Sequence, residues 1–281
     1  MGWSAFLSAI LLLSALTPRA EALGRTLYVS NTDPTCGGKS PCFSTIQAGV
    51  NAALQGDTVQ IQPGTYRERV TIDRKNSEPT ASEGSRIVIE ADPAAAPGAV
   101  VVRPPSGFCV SGHGVVIRQS RFVTLRSLTV TGASGAGVVL LGGREQNRGI
   151  HLERLRITGN SGGGCVAGGI SIALGNPDTV IVNSLIYANG GNGITFTDPG
   201  GGPHWIIQNT IQRNGWNGIG VVLGQSLVVA NNIITSNGVA NGFIGGRYGV
   251  SRLGLPGQDP DEVRLLHNLI CANRLGELHG P

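Results

Sequence analysis

The feature that most constrains this chain is a stretch that keeps returning. NTIQRNGWNGIGVV spans 209–222, NSLIYANGGNGITF spans 183–196, and NNIITSNGVANGF spans 231–243. One Asn per unit serves as a register mark: Asn160, Asn189, Asn214, Asn237 and Asn273, with Ala133 in the same place one unit earlier. The intervals are 27, 29, 25, 23 and 36 residues. Three residues before each mark stands Val130, Ile157, Ile186, Ile211, Ile234 or Ile270. After most marks comes a glycine and then an apolar residue, as in Gly137-Val138, Gly193-Ile194 and Gly218-Ile219; a Gly-rich insertion delays the pair to Gly169-Ile170 in one unit. Self-similarity at this period means a stack of supersecondary units.

A helical solenoid would show a 3.6-residue period and few glycines, whereas this chain has 44. Each unit holds three short β-rich runs instead, such as VIVN, LIY and ITF at 180–183, 185–187 and 194–196. Asn and Gly punctuate them where tight turns need positive φ. The pattern predicts an all-β parallel β-helix, with coils ~4.8 Å apart and stability drawn from stacked neighbours. Asn209, Asn232 and Asn268 share one position, and stacked amides there predict a hydrogen-bonded ladder. Ahead of the repeats, the segment at about 44–55 reads as a helix, with Ser44 or Thr45 as N-cap and Gly56 at its end. Ile46, Val50, Ala53 and Leu54 fall on one face, suited to covering the open end of the first coil.

TIQAGVNAALQGDTVQIQPGTYRERVTI at 45–72 resembles the opening of exported proteins of the pectin-lyase-like superfamily. The resemblance extends from about Leu27 to Asn273. It implies a right-handed parallel β-helix over residues 23–281 and leaves activity open, because that superfamily spans lyases, epimerases, hydrolases and members without catalysis. In its catalytic members the active site lies on the outer face of one parallel sheet and the adjoining loops.

An apolar run from Ala5 to Leu16, followed by Ala20-Glu21-Ala22, reads as a signal peptide over residues 1–22. The run is too short to span a membrane, so the chain is expected to be secreted, extracellular or periplasmic rather than membrane-spanning. The formal charge of +4 favours anionic partners. Basic residues are scattered singly, which argues against nucleic acid and leaves acidic polysaccharide or glycan. Cys36 and Cys42 flank a Gly- and Pro-containing loop and are expected to form a disulfide. Cys109, Cys165 and Cys271 are expected to be buried thiols.

The strand after each Asn-Gly turn, such as Ile194–Phe196, is the expected counterpart of the catalytic sheet. Alternation points Val139, Ser171, Thr195 and Gly220 outward, and none is an acid, a base or a cation. The loops beyond are richer. Arg144, Glu145, Arg148 and His151 lie at 141–151, Asp178 follows, and Asp198, His204 and Trp205 lie at 197–205. Arg148, Asp198 and His204 are the candidate catalytic set, since removing a uronate C5 proton needs a base and a cation to hold the developing enolate. Arg144, Arg247, Tyr248 and Trp216 are the candidate substrate-binding residues, Trp216 either stacking on sugar or packing against a loop insertion at about 238–262. Calcium is the candidate cofactor, through Asp259, Asp261 and Glu262. Asn31-Thr32-Asp33 and Gly112-His113-Gly114 mimic polygalacturonase motifs at the wrong places, and no paired-carboxylate site accompanies them. The functional expectation is binding of acidic polysaccharide, with cleavage by a lyase or C5-epimerisation as its catalytic form and a non-catalytic envelope or extracellular scaffold as the alternative. The last coil, with only RLGELHGP after Asn273, is expected to lack its third strand, either because a polar tail caps the stack or because the sequence is cut short.

Overall fold

The computed structural model describes residues 24–109, 111–161, 168–197, 202–222, 226–240, 246–252 and 263–280. Short strands stack coil upon coil into three sheets of ten, eight and eight strands, here called A, B and C. Every strand pairing is parallel. In the coil around Asn189, Thr179–Val182 runs in sheet A, Leu185–Tyr187 in B and Ile194–Phe196 in C. The residues before the marks stack as the repeat requires: Val130 on Ile157, Ile186, Ile211, Ile234 and Ile270 in turn. Their side chains fill one continuous apolar core along the axis.

The asparagines hold the register. Asn189 Nδ2 donates to Asn214 Oδ1 at 3.0 Å and to the Ile157 carbonyl at 3.0 Å. Asn214 Oδ1 also accepts from the Asn189 backbone N–H. The same unit repeats from Asn160 through Asn237 to Asn273, where Glu277 accepts the last amide. The expected second ladder runs through Asn209, Asn232 and Asn268, entered from Ser184. Each inner amide therefore has its donors and its acceptor satisfied where water does not reach.

The recurring glycine after each mark follows from the same stacking. A Cβ on Gly193 would lie 2.6 Å from Ile211 Cγ2 and 2.9 Å from Asn214 Nδ2 of the next coil. The space is already taken by the ladder and the core, so no larger residue fits.

The capping helix covers Ile46–Ala52, with Thr45 accepting from the Ala48 N–H. Glu68, from the first coils, accepts from the Ile46 and Gln47 N–H groups. Lys75 donates to the carbonyls of Asn51 and Ala53, so both helix ends are satisfied by the solenoid that the helix caps. Leu54 departs from expectation. The helix stops before it, Ala53 being extended, and leaves Leu54 63% exposed, while Gly56 takes positive φ in the next turn rather than ending the helix.

Three further expectations are corrected. The stretch at 238–262 is not wholly a loop, because Tyr248–Arg252 is a strand of sheet C. The last coil has its third strand, Gly276–His279, paired to that one. Cys109 is exposed and disulfide-bonded rather than a buried thiol; Cys165 lies outside the described residues, and Cys271 is a free, half-buried cysteine. Cys36 and Cys42 are bonded as expected.

Asn214→Ala removes partners from Asn189, Asn237 and the Ile186 carbonyl at once. The expected loss is about 2–4 kcal/mol in urea unfolding. A loss below ~0.5 kcal/mol would mean that the ladder decorates the stack without holding it.

Candidate functional site

The outer face of sheet C is closed in the middle of the molecule. Thr195 is 2% exposed and receives a hydrogen bond from the Asn192 amide at 3.0 Å. A Cβ on Gly220 would lie 2.8 Å from Asn192 Nδ2, so the Asn192 side chain occupies the outer face of the next coil. Asn217 continues the cover, donating its N–H to Asn192 and accepting from that of Tyr248. Val139 is likewise buried on the outside, in a small cluster with Val116 and Ala136. His113 accepts the Ala136 N–H and Asn31 donates to the Thr65 carbonyl, so both motif mimics are structural.

The candidate rim residues do not form one site. Arg148 is exposed and pairs with Asp178 at 3.0 Å. His204 begins a strand of sheet A rather than sitting in a loop, and alternation turns it inward beside Phe196, at 1% exposure. Trp216 is buried, its backbone N–H donating to the Gly191 carbonyl, and is no sugar platform. Tyr248 stacks on His279 with ring centroids 4.5 Å apart, and Arg247 beside it is half-buried. Arg144 lies in a short 3-10 turn at Gly143–Glu145. Asp198 lies outside the described residues, as do Asp259, Asp261 and Glu262 of the calcium candidate. Among the described residues no three acids, histidines or cysteines stand together as a metal site. Among the described residues, Asp73 and Arg118 form an ion pair on sheet C at 2.9 Å.

A better-formed concavity lies at the corner between sheets A and B. Most coils turn this corner in two residues, the first at positive φ and the second in the ladder, as with Gln208 and Asn209. The coil after Ile87–Ala91 departs from this, carrying Asp92–Ala99 before its next strand at Val100. That longer loop stands out as a wall, and a cleft of ≈ 440 Å³ opens between it and the following coils. Arg126, Ser127, Arg154 and Arg156 form the other side. Arg154 occupies the positive-φ corner position (φ 51), which throws its side chain clear of the sheet.

The acids of the cleft are already engaged. Arg126 lies between Glu90 and Glu153, at 3.0 and 2.7 Å. Burial works against its charge, but the bond to Glu153 and the two carboxylates outweigh burial and hold its pKa above the ordinary arginine value. Asp92 faces Lys39 at 3.7 Å. Arg154 and Arg156 make no side-chain hydrogen bond or ion pair among the described residues. Two guanidinium forks are thus open to an anion, and a planar carboxylate is the partner they match.

The profile of the right handed beta helix region matches residues 107–251, just over half of the chain. The chain belongs to the right-handed β-helix family. No curated protein matches this β-helix chain in sequence. Among solved structures it is similar to the pectate lyase Pel9A, at TM-score 0.69 and 16% identity, over 90% of this chain and 64% of the lyase. It is also similar to the GH136 lacto-N-biosidase of Eubacterium ramulus, at TM-score 0.65 and 11% identity, over 91% and 57% of the two chains. The alginate lyase of Paenibacillus sp. str. FPU-7 matches at TM-score 0.50 and 15% identity, over 92% and 98%. The chain spans less than two thirds of the length of the first two. At these identities the likeness is one of fold.

The corner cleft of this β-helix went unnoticed in the sequence although a signal for it was present. Arg154 stands six residues before its mark, as Gln208 and Asn231 do, so its corner position can be counted. What the count lacks is the protruding 92–99 loop, which belongs to a coil with no Asn mark.

Sheet A beside the cleft also carries His151, half-buried next to Arg86 at 3.4 Å. Burial first and the Arg86 charge second outweigh Glu83 and Glu153 and lower its pKa. A proton NMR titration is expected to give a midpoint below the ordinary 6.5. This histidine's contribution to stability is present above pH ~6.5 and is lost as pH falls through its lowered midpoint. A midpoint at or above 6.5 would mean that the carboxylates dominate the pocket.

Proposed function

We propose that this protein is an exported, non-catalytic binder of acidic polysaccharide, and that the corner cleft takes the carboxylates. One observation carries the reading: Arg154 and Arg156 face a cleft without partners while every acid around them is already paired. Charge-assisted bidentate contacts to uronates are what such forks make best. Support for this ligand class comes from the fold neighbours, a pectate lyase and an alginate lyase among them. Support for export comes from the disulfide Cys36–Cys42, which belongs to an oxidising compartment, and from the signal-like residues 1–22. No helix among the described residues is long and apolar enough to cross a membrane. Binding is favoured over C5-proton chemistry because the carboxylates around the cleft are all engaged with cations.

Isothermal titration with polygalacturonate tests this. Wild type is expected to bind, and the methyl-esterified polymer, which lacks the charge, is not. Arg154→Ala and Arg156→Ala should each weaken binding by about tenfold or more, with affinity falling as salt rises. Arg148→Ala, on the far rim, should leave it unchanged. Loss with Arg148→Ala alone would move the site to the sheet C rim. Unsaturated uronate signals, or deuterium at C5 in D2O, would make the protein a lyase or an epimerase instead.

A further inference from the structure

The outer face of sheet A changes character along the axis. Register places Thr124, His151, Val180, Trp205, Val228 and Arg264 in one outward column. The neighbouring outward column runs Arg126, Glu153, Val182, Ile207, Ala230 and Leu266. The end nearer the capping helix is therefore charged and adjoins the cleft, and the coils beyond form an apolar floor with one tryptophan in its middle, interrupted on the last strand by Arg264. The valines, Trp205 and Ile207 of this floor are half-buried, so part of each apolar side chain still faces outward and can take a ligand.

Its size says which. Four strands of four residues offer a footprint of ~19 Å by ~13 Å, or ~250 Å². A stable protein interface uses ~800 Å² on each partner, so a second copy of this chain would gain too little. A single sugar chain laid along the axis fits within that footprint. Along the axis Trp205 lies two to three coils from Arg154 and Arg126, a rise of ~10–14 Å. An apolar sugar face on the indole and carboxylates in the cleft satisfy both ends of the surface with one ligand.

We infer that sheet A is the floor of an extended track for an acidic polysaccharide, running from the arginine cleft to an aromatic subsite at Trp205. The inference rests on the cleft reading above and adds to it a direction, a minimum ligand length and a second contact. A dimer of uronates reaches the cleft alone; a longer oligomer reaches Trp205 as well.

Calorimetry of the full chain with oligogalacturonates from dimer to hexamer tests it. Wild-type affinity is expected to rise with length until Trp205 is reached. Trp205→Ala should cost about five- to tenfold for the hexamer and nothing for the dimer. Trp205→Phe should keep most of the gain, which separates a lost ring from a damaged fold. Affinity independent of length, or a hexamer indifferent to Trp205→Ala, would overturn the track and leave the cleft standing if Arg154→Ala still fails to bind. Loss at every length with Trp205→Ala would also overturn it. No binding of any charged oligomer would remove cleft and track together. A concentration-dependent dimer in sedimentation, abolished by Ile207→Lys, would give the floor to a second copy instead.

Discussion

Everything in this molecule hangs on one coil being the template for the next. A single coil cannot bury its own inner face, and its backbone edges are unpaired until a neighbour arrives. The amide ladders make that pairing specific. Asn189 fits only when Asn214 stands directly beyond it, since its one carboxamide serves a backbone carbonyl of the preceding coil, Ile157, and the side chain of the next. A slip of one residue would turn the isoleucine column outward and leave each amide half-satisfied in the core, which is costly on both counts.

With the register locked in this way, surface chemistry becomes a matter of columns. Outward residues in successive coils line up along the axis whether or not they are near in sequence. Glu90, Arg126 and Glu153 become one ion-paired row, and Trp205 sits between two valines. Departures from the regular coil create the concavity. Where the corner between sheets A and B lengthens at 92–99 the surface steps outward, and where it is short Arg154 stands at the foot of the step. Sheet C, the sheet the sequence pointed to for a catalytic face, is closed in its middle by Asn192 and Asn217.

The fold was legible because its signal is periodic. The isoleucines and asparagines of 157–273 name their partners by spacing, and the helix at Ile46–Ala52 announces itself by Thr45 and an apolar stripe. The site was less legible. His204 follows a Gly-Pro segment that reads as loop, yet Trp205-Ile206-Ile207 carries the sheet back to it and alternation turns it inward. Trp216 stands among small polar residues, which suggests exposure, but the turn folds onto the neighbouring coil. The third strand of the last coil, Gly276–His279, lacks the apolar run of its predecessors because it borrows order from Tyr248–Arg252. The cleft depends on two coils of unequal corner length, a relation no single motif records.

The measurement that bears most directly on this account is an NMR titration of the arginine side-chain Nε–H groups with oligogalacturonate. Shifts concentrated on Arg126, Arg154 and Arg156 are the expected result. Shifts on Arg144, Arg148 and Arg247 with the corner arginines unmoved would return the site to sheet C and contradict the account.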